Sequence, residues 1–107
     1  MNYPDDDTGQ VLSEMNEAGI DLNVEHKVTF FQLFEKEEHA RVFAIHLEEN
    51  FSEMSVIVKP DEIPNVWDVD CTLVLTPSYQ NIVDKEVFFE KLAGQFEGYN
   101  DGWGIEA

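Results

Sequence analysis

Positive charge is what this sequence most lacks. Six Lys and Arg face 23 Asp and Glu, for a formal net charge of -17. Such a surface repels phosphate backbones and anionic lipid alike, which argues against direct binding of nucleic acid or membrane. A basic protein segment would instead be attracted and steered. Cysteine is nearly absent too. Cys71 stands alone, so no intrachain disulfide can form, as suits the cytoplasm. No apolar run approaches the roughly 18 residues of a membrane-spanning helix. The opening MNYPDDDTGQ has neither a basic start nor an apolar stretch, so no signal peptide is expected. CxxC, GxSxG, P-loop and GxGxxG motifs are all missing. What remains is 107 residues, 43% hydrophobic and with Phe 8. That is enough for one folded domain spanning 1–107, and too apolar for disorder.

Hydrophobic spacing divides the chain into elements. Val11, Leu12 and Met15 share one helical face behind Asp5, Asp6 and Asp7. Asp7 with Gln10 has the spacing of a capping box, and Gly19 follows as a stop. Residues 25–34, EHKVTFFQLF, read as a strand that sends Phe30 and Phe31 to opposite faces. A helix is predicted over 36–50, since Ala40, Phe43, Ala44 and Leu47 recur at helical spacing. Strands follow at 52–59 and 66–75. In the second, Trp67, Val69, Cys71, Leu73 and Leu75 share a core-facing parity. A long helix over 79–96 carries Ile82, Phe89, Leu92, Ala93 and Phe96 inward, and Gly98 is expected to end it. YNDGWG, residues 99–104, reads as a short closing strand. The order is a helix and then β-α-β-β-α-β. This predicts an α+β ferredoxin-like sandwich with an additional N-terminal helix, at a sheet edge or on the open face.

Candidate chemistry is sparse. An EF-hand loop starting at Asp5 would need Gly at residue 10 and Glu at residue 16, where Gln10 and Asn16 stand instead. Asp5 to Asp7 fit helix capping and dipole complementation better. Asp68 and Asp70 are two apart on a strand, so their carboxylates share a face. Such pairs run acid-base or metal chemistry in some sites, but are also ordinary on a wet sheet surface. His39 and His46 are seven apart, not the four of a helical metal pair. Cys71, on the core parity, reads as an inert buried thiol. No catalytic or metal-binding residue is assigned, and no cofactor is expected.

Three strings occur in order: YPDDDTGQVLSEM near the start, WDVDCTLVLTPSYQNI in the interior, and YNDGWG at the end. Together, over residues 3–104, they resemble the regulator of ribonuclease E activity B (RraB) family, and more closely its short, single-domain members. The resemblance implies an acidic, ferredoxin-like α/β sandwich without catalysis of its own. It also implies a partner, ribonuclease E, bound chiefly through that enzyme's arginine-rich scaffold region, with messenger RNA cleavage reduced. The family ending commonly runs Tyr-Asp-Gly-Trp-Gly. Here Asn100 separates Tyr99 from Asp101, and one step along a strand changes the face. The expected partner contacts are Asp5, Asp6, Asp7, Asp68, Asp70, Asp101 and Trp103. Two other readings are a small-ligand sensor on the same fold and an acidic module with an unrelated protein partner.

Overall fold

The computed structural model describes residues 6–105, the side chain of Asp7 excepted. It is an α+β fold with three helices and one four-stranded antiparallel sheet. The elements run α1 (Asp7–Glu17), β1 (His26–Phe34), α2 (Glu37–Asn50), β2 (Ser55–Pro60), β3 (Trp67–Leu75), α3 (Tyr79–Gln95) and β4 (Gly98–Ile105). The strand order is β2-β3-β1-β4. Each of α2 and α3 therefore links two strands that flank a third.

Phenylalanine builds the core. Phe30 and Phe34 on β1, Phe43 on α2 and Phe89 on α3 are fully buried. Phe30 meets Phe89 with ring centroids 5.1 Å apart, and Phe34 meets Phe43 at 5.0 Å. Burial of one such ring is worth about 1.5–3 kcal/mol. The inward stripe of α2 is the predicted one, Ala40, Phe43, Ala44 and Leu47. On β3, Val69 and Cys71 join the core, and Cys71 is a buried free thiol. Burial pushes its pKa well up, with help from Asp70 and Asp68.

The other sheet face follows from the register. Phe31 lies opposite Asp70, Leu33 opposite Asp68, and Ile57 opposite Asp70 from the far side. Ile57, Val74 and Tyr99 are exposed there. The N-terminal helix packs against α3.

Two helix ends differ from the sequence reading. The cap of α1 is Asp6, not Asp7: its extended backbone lets the carboxylate accept the Gly9 N–H at 2.8 Å. At the end of α3 the left-handed residue is Glu97, with φ 67. Gly98 is instead the first residue of β4 and lies against the ring of Phe34. β2 also begins later than predicted, at Ser55.

Candidate functional site

Asp6 has two partners inside the fold. One oxygen takes the Gly9 N–H, and the other accepts the hydroxyl of Tyr79, the first residue of α3. The tyrosine bond and then the backbone bond hold the Asp6 carboxyl below its ordinary range. Asp6 thus ties α1 to α3 as well as capping α1. Asp7 opens α1 with its backbone. Its side chain, and all of Asp5, lie outside the described residues.

Asp68 and Asp70 share the sheet face that points away from the core, as their spacing predicts. Lys59 on β2 binds Asp70, with Nζ 3.0 Å from Oδ2. Among the described residues, Oδ1 of Asp68 and Oδ1 of Asp70 are both buried without a donor. Two carboxylates this close on one face disfavour each other's ionisation. Burial first, then Asp70, pushes the Asp68 pKa from 3.8 to about 7, with Lys59 pulling the other way. A folded-state pKa above the unfolded one means that the folded state binds the extra proton between these values. Stability from the protonated Asp68 is then full below about pH 4 and is lost as pH rises through about 7. Asp68→Asn is accordingly expected to gain about 1 kcal/mol near pH 8, after allowance for solvent screening, and nothing near pH 4. Urea denaturation at several pH values checks this, with the exposed-acid variant Glu48→Gln as the control for overall charge.

The closing strand builds a different place. Gln32 pairs with Asn100 and Phe31 with Gly102, so Asp101 is the extra residue of a β-bulge. Gly102 has φ 124, a backbone that a side chain would strain. The bulge resets the alternation. Tyr99 lies opposite Leu33, on the face of Asp68 and Asp70, while Trp103 lies opposite Phe30, on the helix side. Asp101 and Trp103 line a cleft of about 380 Å³ together with Thr8, Val11, Glu86 and Asn100. A chain of hydrogen bonds runs along it. The fully buried Gln32 donates from Nε2 to Asn100 Oδ1 at 3.0 Å. Asn100 Nδ2 donates to Glu86 Oε2 at 3.3 Å, and the Thr8 hydroxyl donates to Glu86 Oε1 at 3.0 Å.

The predicted contact residues are therefore not one site. Asp68 with Asp70, and Asp101 with Trp103, occupy opposite sheet faces, and Asp6 joins two helices. Sequence reasoning missed Lys59, Tyr79, Thr8, Glu86, Gln32 and Asn100 as partners of these groups. Lys59 was within reach of it, since an antiparallel β2-β3 pair sets Lys59 opposite Asp68. The pairing of Thr8 with Glu86, 78 residues apart, has no local signal.

Fold and sites together define a small α+β protein with carboxylates gathered on both sides of its sheet. The sequence model of the family described as "RraB: Regulator of ribonuclease activity B" matches residues 5–105. The chain belongs to that family. A comparison with curated proteins gives no match. No described helix is long and apolar enough to cross a membrane.

Proposed function

We propose that this protein is a non-catalytic, acidic, protein-binding regulator that engages ribonuclease E and so modulates RNA degradation in the cytoplasm. The family match across residues 5–105 carries this reading. The net charge of -17 supplies its physical basis. A folded anionic surface competes with RNA and other partners for a cationic segment, because both neutralise the same charges. We read the chain as one domain of ferredoxin-like type with α1 added. The strand order and all-antiparallel pairing support that reading. Asp68, Asp70, Asp101 and Trp103 are the proposed contacts, with Asp5, Asp6 and Asp7 contributing charge at the start of α1.

Affinity capture of ribonuclease E on the immobilised protein tests the proposal. The enzyme is expected to be retained at low salt and released as ionic strength rises and the Debye length shrinks below about 8 Å. Failure to retain it at low salt would remove the proposal. Retention that ignores salt would remove its electrostatic basis.

A further inference from the structure

The cleft between α1, α3 and β4 has a chemistry of its own. Its polar groups are chiefly acceptors: the Glu86 and Asp101 carboxylates and the Asn100 amide oxygen. Glu86 is fixed through both oxygens, by Thr8 and by Asn100. A carboxylate has about four acceptor positions, so Glu86 keeps capacity for further donors. Trp103 adds an aromatic wall, half-buried against the core. Among the described residues, no Lys or Arg lines the cleft.

A buried polar chain stands behind the cleft. Gln32 is fully buried, and its Oε1 has no partner among the described residues. A leucine would fill that place without orphaning an acceptor. Gln32 instead holds Asn100, and Asn100 holds Glu86. A buried, incompletely satisfied amide thus fixes the orientation of a carboxylate at the cleft.

We propose that this cleft binds the guanidinium of a single arginine side chain on the protein partner, stacked on Trp103 and paired with Glu86 and Asp101. Flat, delocalised guanidinium stacks on indole and offers five donors in a fork that matches carboxylates. Ammonium has no flat face to stack. A divalent cation fits the donor set less well, since no three acidic, His or Cys groups converge among the described residues. Two other depressions, of about 250 and 480 Å³, are lined in part by Lys27 with Glu53 and by Lys85 with Glu53 and Asp84, and no described aromatic side chain lines either.

The inference rests on the reading of the protein as a binder of basic segments, and its test is separate from ribonuclease capture. Isotope-labelled protein is titrated with the tripeptide Gly-Arg-Gly at fixed ionic strength. The Trp103 indole N–H and the Asn100 side-chain amide are followed by NMR. Saturable shifts centred on the cleft are expected. Affinity should be at least about fivefold weaker for Gly-Lys-Gly and lost for Gly-citrulline-Gly, which keeps the shape without the charge. Asp101→Asn, at an exposed bulge, and Glu86→Gln should each weaken arginine binding. Non-saturating shifts spread over the acidic surface would overturn the proposal. So would equal binding of citrulline, or variants that bind as the parent does. Ribonuclease captured equally by parent and variants would sink the cleft and leave the wider reading standing. Arginine saturating the cleft with no ribonuclease captured would do the reverse.

Discussion

Phe30→Ala is expected to cost about 3–5 kcal/mol, and Phe31→Ala, one residue on, only about 1–2 kcal/mol. Phe30 is fully buried, stacks on Phe89 and sits between Cys71 of β3 and Trp103 of β4. Its removal leaves a cavity walled by a sheet and a helix, which can collapse only in part. Phe31 is half-buried on the other face, opposite Asp70 and Gly102. Water and neighbouring side chains can fill its place there. Urea denaturation should show a large fall in midpoint for Phe30→Ala with little change in slope. Equal losses for the two variants would contradict the assignment of faces. Phe30 is also the cross-strand neighbour of Trp103, so the same variant is expected to loosen the cleft wall before the protein unfolds.

Gly98→Ala has the next largest expected effect, a loss of about 2–3 kcal/mol. An added Cβ would lie 2.3 Å from Phe34 Cε2 and 2.7 Å from Cζ. The ring has no easy retreat, because Phe34 is fully buried and packs on Phe43. The strain is therefore steric and local, and Phe34→Leu should relieve it. The double variant is expected to be more stable than the sum of the single losses implies, as contacting residues couple. Strict additivity in thermal or urea unfolding would show that the two residues do not touch.

Periodicity made most of the fold legible. The stripe of α2 from Ala40 to Leu47 and the parity of β3 from Trp67 to Leu75 are properties of the local chain, so spacing alone reveals them. Helix ends were harder. Any of three adjacent aspartates is a good cap, and the one that caps, Asp6, also binds Tyr79, far along the chain. Gly98 looked like a helix stop because glycine tolerates left-handed backbone. Glu97 takes that conformation instead, and Gly98 is needed for its closeness to Phe34.

The candidate sites were legible only in part, for a similar reason. Two carboxylates on one strand face can be read from spacing, as with Asp68 and Asp70. The raised pKa of Asp68 and the ion pair from Lys59 to Asp70 require knowledge of burial and register. The YNDGWG string proves to be both a closure and a cleft wall. Asn100, which parts Tyr99 from Asp101, faces the helices and bonds both Gln32 and Glu86. The bulge at Asp101 resets the alternation, so Tyr99 lies on the open face and Trp103 on the core side.

We read the protein as a regulator that occupies a basic segment, without catalysis of its own. RNA cleavage by ribonuclease E tests it most directly, measured with and without the protein, for the whole enzyme and for its catalytic part lacking the arginine-rich region. The account predicts slower cleavage by the whole enzyme at low salt, recovery as salt rises, and no effect on the truncated enzyme. Equal slowing of both forms, or RNA cleavage by this protein alone, would contradict it.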